Sequence, residues 1–349
     1  EQGDTIHLFI PKESKFPTHK NIIRHTITRP KRNFLFAGFA GLILNYFILR
    51  TIRKINYDRV ILISVPYGIQ GVILRLKRIS LIIWEDFIAC RRIKAENKRN
   101  RFLQKELLKL LRYVEGITVK RAWQIIVQCN YDKEQLIRRH QRQKEAISSK
   151  SVVLPNNVNP TWIKEYEFLL DEDIDKNTED LYPIKIYFLG NVNDERKGLH
   201  LLLEAAMRLI RQGYHIQLNI IGGGRLVKWY KKKYAELSEI HFLGRLTKPL
   251  PELVKADLLV VPSLVDSFPN TIMEGLFLEK IVIGAKTGGI PEMLYYEELL
   301  FEPETEALSG KIAAILDHKR LALLKKLAKE RKRKLTFDWG KAMKEVLNK

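Results

Sequence analysis

Short apolar runs recur along the chain, each closed by a Gly, Pro or polar break. In the first half they are residues 5–11, 60–65, 79–84 and 125–127. In the second half they are Ile184–Leu189, Ile216–Ile221, 240–246, Leu258–Val261 and 281–283. Runs this short and this rich in Val and Ile predict strands, most of them buried. Between them lie stretches with apolar residues at helical spacing: 68–77, 91–112, Leu199–Arg211, and a segment opened by Pro269 in which Ile272, Met273, Leu276 and Phe277 recur. In 91–112 the residues Phe102, Leu103, Leu107, Leu108 and Leu111 supply one apolar face, and nine cations occupy the rest. Pro at the start of a helix costs nothing, because its missing N–H has no partner there anyway. Strands alternating with helices predict parallel sheets, and 349 residues suit two such domains.

The fold class expected is therefore α/β with two Rossmann-like domains. The expected division is 1–159, then an acidic, irregular linker at 160–183, a second domain at 184–335, and a final helix at 336–349 returning toward the first domain. Within the first domain the pattern breaks twice. Residues 12–32 read as a basic loop around Ile22 and Ile23. Residues 34–49 are almost wholly apolar yet shorter than the run of about 18 that a membrane span requires. That run reads as a helix packed in the domain or as one lying in a membrane surface.

Charge changes the picture. Lys and Arg outnumber Asp and Glu by 61 to 40, and the excess is uneven. Residues 1–160 hold 31 basic against 12 acidic side chains, whereas the remainder hold 30 against 28. A basic half of this kind suits a polyanionic partner such as anionic lipid headgroups. Nucleic acid is disfavoured, since no recognition motif accompanies the charge. The two cysteines, Cys90 and Cys129, have no metal-ligand spacing and suggest a reducing compartment.

The candidate chemistry gathers between Asp257 and Glu292. There Leu258–Val261 is followed by the loop Ser267-Phe268-Pro269-Asn270-Thr271, a helix carrying Glu274, the run 281–283, and Gly288-Gly289. A loop feeding a helix N-terminus presents backbone N–H groups suited to phosphate. The stretch DSFPNTIMEGLFLEKIVIGAKTGGIPEML resembles the nucleotide-sugar segment of the retaining glycosyltransferases of family 4, which have the GT-B fold, two Rossmann-like domains with parallel sheets facing a cleft. That family carries two glutamates eight positions apart; here the pair is Asp266 and Glu274. The resemblance implies that the first acid touches the donor sugar and the second holds the ribose hydroxyls. Asp266 is one methylene shorter than the family's residue.

Similar echoes run through the rest of the chain and are densest after Lys150. The loop Gly190 to Gly198 resembles the family's diphosphate grip, with Lys197 in place, Asn191 where Arg is usual, and Arg196 as a candidate second cation. Gly222 and Gly223 match a turn that approaches the nucleotide, and Leu246 lies where the base has a neighbour. Glu85 and Asp86 stand at a strand end that in the family lines the acceptor side. The family's first strand, its Gly-rich loop and its first helix have no counterpart before residue 5, which suggests a fragment or a late-starting gene model.

The resemblance implies an enzyme, a hexosyltransferase. It would move sugar from a nucleoside-diphosphate sugar to a lipid-linked or polysaccharide acceptor in cell-envelope glycan synthesis. Asp266, Glu274 and Lys197 would carry the catalysis, with no metal and no cofactor beyond the donor. The expected setting is cytoplasmic, peripheral on the inner face of the membrane through the basic half. The competing expectation is a degenerate or truncated homologue that binds membrane or a polyanion without turnover.

Overall fold

The computed structural model describes residues 5–11, 21–27, 43, 46–47, 49–63, 65–83, 101–157, 165–166, 168, 183–316 and 318–348. They fall into two compact units. One draws on 1–88, 100–126 and 136–152, the other on 89–99, 127–135 and 153–349.

In the first unit, β1 (Ile6–Pro11) and β2 (Ile22–Ile27) form a parallel pair. The strand β2 lies inside the stretch expected to be a basic loop. Arg24 and His25 break the apolar signal, yet its backbone pairs along all six residues. A four-stranded sheet follows in the order β3 (Val60–Ile63), β4 (Ile79–Ile83), β5 (Gln124–Val127), β6 (Ser151–Val153). The expected buried strand at 60–65 is an edge strand, with Ile61 and Ile63 exposed by 45% and 47%. Burial instead falls on β4 and β5.

The helix α1 (Val65–Ile73) starts earlier than the expected 68–77. Pro66 sits in its first turn, where proline is tolerated, so it opens the helix as well as closing the strand. Gly68 lets α1 press against α2 (Arg101–Arg121), since a Cβ there would lie 2.1 Å from Thr118 Cγ2. The expected basic helix at 91–112 is described only from residue 101, and it continues to Arg121. The expected acceptor residues Glu85 and Asp86, and most of 34–49, lie outside the described residues.

Beyond β5 come α3 (Asn130–Arg139) and α4 (Lys144–Lys150). Glu115 of α2 is buried and accepts from Arg139 Nε at 2.8 Å and Arg139 Nη2 at 3.0 Å, with His140 Nε2 2.8 Å away. Burial alone would raise this carboxyl, but the bonds from His140 and Arg139 hold it below its ordinary range.

The second unit is built on a six-stranded sheet of order β12-β11-β10-β7-β8-β9. Its strands are β7 (Ile184–Leu189), β8 (Ile216–Ile221), β9 (Ile240–Gly244), β10 (Leu258–Val261), β11 (Ile281–Ala285) and β12 (Leu300–Phe301). All five neighbouring pairs in it are parallel. The crossover helices are α5 (Leu199–Arg211), α6 (Val227–Lys233), α7 (Leu250–Leu253), α8 (Asn270–Phe277) and α9 (Ile290–Leu294), and α10 (Thr305–Ile315) follows the last strand. Two further helices, α11 (His318–Leu335) and α12 (Trp339–Leu347), complete it. Strands β10 and β11 are buried at every residue, as an interior parallel strand covered on both faces must be. The expected strand 281–283 extends through Gly284, whose missing Cβ makes room for Ile290 and Leu294.

Replacing Glu115 by Ala removes the buried carboxylate that Arg139 and His140 both face. The expected loss is about 3 kcal/mol or more, seen as an earlier transition in urea unfolding of the full chain. An unmoved transition would show that the pair adds nothing to the first unit.

Candidate active site

Parallel strands release their loops at one sheet edge, which is where α/β ligands bind. At that edge of the second unit the loops after β7, β8, β10 and β11 touch through backbone. Leu264 N–H donates to the Arg196 carbonyl at 2.7 Å, and Gly289 N–H donates to the Asp266 carbonyl at 3.0 Å. Gly198 has φ +65°, and a Cβ there would sit 1.8 Å from the Pro262 carbonyl oxygen. Gly288 has φ +57° and stands as close to the Asp266 carbonyl. These approaches need glycine twice over, for the left-handed backbone and for the space.

The loop after β7 is shaped by its own side chains. Asn191 Oδ1 accepts from Asn193 N–H at 3.0 Å, an Asx turn. Asp194 caps a short 3-10 turn (Glu195–Lys197) and grips the Arg196 guanidinium, taking Nε at 2.9 Å and Nη2 at 2.7 Å. Lys197, at the end of that turn, reaches across to Asp266, Nζ to Oδ2 at 2.5 Å. The loop after β8 is joined in by Gly222, whose N–H donates to the Gly244 carbonyl at 2.7 Å. A Cβ on Gly222 would strike the Gly190 carbonyl oxygen at 1.9 Å. Val192 N–H donates to the Gly223 carbonyl at 3.3 Å.

The loop before α8 is anchored below. Ser267 is buried, its Oγ 2.9 Å from Asp132 Oδ1, and Phe268 is buried beside it. Pro269 stands at the N-cap position, one residue before the helix it was expected to open, with an extended ψ of 122°. Asn270 is exposed at the helix start and accepts from Asn156 Nδ2 at 3.2 Å. Thr271 Oγ1 donates to the Leu189 carbonyl at 3.3 Å, tying the first turn of α8 to the end of β7. One turn on, burial pushes the Glu274 carboxyl up to about 7, partly offset by the charge of Lys197.

Lys197, Asp266 and Glu274 thus share one neighbourhood, with Ser267 to Thr271 beside them. Leu246, two residues past β9, is half-buried against the core. Arg196 and Lys197 both face carboxylates, those of Asp194 and Asp266. Among the described residues no group of three or more His, Cys, Asp and Glu is placed to hold a metal ion. None of the described helices is long and apolar enough to cross a membrane.

Sequence reasoning gave no role to Asp194, Asn193 or Glu292. Asn193 Oδ1 accepts from Leu226 N–H at 3.0 Å, a second stitch between the loops after β7 and β8. The Glu292 carboxylate caps the start of α3, whose first residues count with the second unit. It takes the N–H groups of Asn130 and Tyr131 at 2.8 and 2.7 Å. Arg331 of α11 donates to the carbonyls of Glu292 and Met293 at 3.0 and 2.6 Å.

The two parallel α/β units make the GT-B fold, the architecture of a large class of glycosyltransferases. Residues 183–318 match a family model described as glycosyl transferases group 1. The chain is 25% identical over 177 residues to Protein CapJ of Staphylococcus aureus, a match spanning 46% of this chain and 45% of that one. The match to this curated relative thus spans under half of its length. Among solved structures, sucrose-phosphate synthase from Thermosynechococcus elongatus superposes with a TM-score of 0.72 at 18% identity, covering 98% of this chain and 86% of that one. Anabaena Alr3699/HepE in complex with UDP-glucose gives 0.63 at 16%, covering 93% and 85%.

A carboxyl with a folded value near 7 against an ordinary 4.5 contributes stability that is full below 4.5 and lost as pH rises through 7. Glu274→Gln removes that dependence. The variant should gain on the parent between pH 5 and 8 by up to about 3 kcal/mol in urea unfolding; a pH-independent difference would contradict a buried carboxyl.

Proposed function

We propose that the chain is a retaining glycosyltransferase of family 4 type. It takes a nucleoside-diphosphate sugar in the second unit and passes the sugar to a lipid-linked or polysaccharide acceptor at a membrane surface, in cell-envelope glycan synthesis. The observation that carries the reading is the convergence of Lys197, Asp266 and Glu274 at one sheet edge, beside the start of α8. The HepE structure supports a nucleotide-sugar donor for this fold, and the basic first half supports an anionic surface.

In this reading the bond from the anomeric carbon to the diphosphate oxygen breaks, and its electron pair leaves with the diphosphate. The Lys197 ammonium and the first-turn N–H groups of α8 stabilise the charge that develops there. The acceptor hydroxyl oxygen bonds to the same face of the sugar as its O–H breaks, and its proton passes to the departing diphosphate oxygen, so configuration is retained. Asp266 holds Lys197 in place before the donor arrives and then takes sugar hydroxyls. Glu274 accepts from the ribose hydroxyls, and Leu246 borders the base. Gly222 and Gly223 leave room for the nucleotide, while Asn191 and Arg196 border the diphosphate. Acceptor contacts at Glu85 and Asp86 belong to the same proposal.

A second reading has a specific observation behind it. Arg196 is held by Asp194, and Asn191 is folded into its own turn. The grip expected to use two cations therefore has Lys197 alone close to Asp266. A homologue that binds membrane or a polyanion without turnover would look this way.

A thermal-shift screen against several nucleoside-diphosphate sugars separates the two, since a ligand of the folded state raises its stability. One donor should raise the melting temperature, and Glu274→Ala should abolish both the shift and sugar transfer. Donor affinity should also fall about tenfold per unit below pH 7, as the Glu274 carboxylate is lost. No shift with any donor, or full transfer by Glu274→Ala, would remove the proposal.

A further inference from the structure

The near-neutral charge of the second half conceals a local extreme. From Arg225 to Lys233 the chain carries five cations and no acid. Arg225, in the turn just before α6, and Lys228, Trp229 and Lys232 of α6 fall at i, i+3, i+4 and i+7, the spacing of one helical stripe. All four are exposed, as are Lys231 and Lys233, and the indole of Trp229 is 54% exposed. The opposite side of the segment is anchored, with Tyr230 stacked at 6.5 Å on Phe242 and Tyr234 buried. Lys233 has an acid nearby, Glu204 at 3.9 Å. Among the described residues Arg225, Lys228, Lys231 and Lys232 have none within ion-pair distance.

A large exposed indole inside a cationic stripe is costly to keep in water. Two partners suit it, an anionic bilayer or a single-stranded nucleic acid. The ring's setting discriminates. The Lys233 ammonium sits 5.5 Å from the indole centroid, and Tyr230 meets the ring at 73° with centroids 4.9 Å apart. An ammonium over the ring opposes the flat stacking that a base needs. It does not oppose insertion of the indole edge among headgroups, with lysines around it on lipid phosphates.

We propose that the stripe Arg225–Lys228–Trp229–Lys232 is a membrane-docking surface of the second unit, seating on anionic lipid headgroups with Trp229 at the interface. Its position matters for the proposed reaction. The stripe begins directly after the Gly222–Gly224 turn, with Val227 N–H bonded to the Gly224 carbonyl at 3.2 Å. A bilayer held there lies beside the loop edge where the donor is proposed to sit. The docking surface itself does not depend on that reaction.

The test uses the full chain with phosphatidylcholine vesicles, with and without phosphatidylglycerol. Partition onto the anionic vesicles is expected, and Lys228→Glu/Lys232→Glu should weaken it by at least about tenfold. Brominated lipid should quench tryptophan emission of the parent, and Trp229→Phe should lose that quenched component. Thermal shift by donor should be the same in the parent and the variants. Vesicle binding without any donor shift keeps the docking surface and removes the glycosyltransferase reading. Four outcomes would overturn the docking surface: no anionic-vesicle binding, unchanged partition in the charge-reversed variant, unchanged quenching in Trp229→Phe, or variant-sensitive binding of single-stranded RNA in place of vesicles.

Discussion

The loop edge of the second unit depends on main chain meeting main chain. Leu264 N–H on the Arg196 carbonyl, and Gly289 N–H on the Asp266 carbonyl, set where two loops stand relative to each other. Only then do Lys197 and Asp266 come into contact. Side-chain geometry at the site is thus a result of backbone packing, and the glycines at 198, 222 and 288 are its condition. Each buried bond of this sort is modest in net stability but costly to leave unmade, so the loops hold together or separate as a set.

Electrostatics then act on a fixed frame. Acids already surround both cations of the loop after β7, and burial keeps the Glu274 carboxyl near neutral pH. That edge is therefore balanced rather than strongly positive. Under the proposed function, a diphosphate enters by exchange, replacing Asp266 at the Lys197 ammonium. The cationic surplus lies elsewhere, along α6 and in the first half of the chain.

Much of this was legible in the sequence where burial is complete. The strands β7, β8 and β10 and the helix α5 have the bounds that periodicity predicts, because both faces of a covered parallel sheet are apolar. Where one face is open the signal weakened: β3 looked buried, and β2 was hidden by Arg24 and His25. The start of α1 was missed because Val65-Pro66 reads locally as extended chain. At the site, the Asp266 and Glu274 spacing and Lys197 were visible as a motif. The hold of Asp194 on Arg196 was not, since spacing alone does not say which carboxylate a guanidinium turns to. Nor was the cap supplied by Glu292, whose partners lie 162 and 161 positions away in the chain.

The glycine contacts also bear on how such a chain can drift. Backbone contacts ignore side-chain identity but are strict about register. The Asn191 side chain turns back on its own loop, and the bond from Lys197 to Asp266 is added to a frame that the backbone contacts set, so the letters at 191 and 266 can change without moving the loops. An inserted or deleted residue between Gly190 and Gly198 would slide the Arg196 carbonyl away from Leu264 and move Gly198 off Pro262. Descendants of this chain should therefore vary in the letters of these loops while keeping their lengths, and most tolerated indels should fall away from this edge.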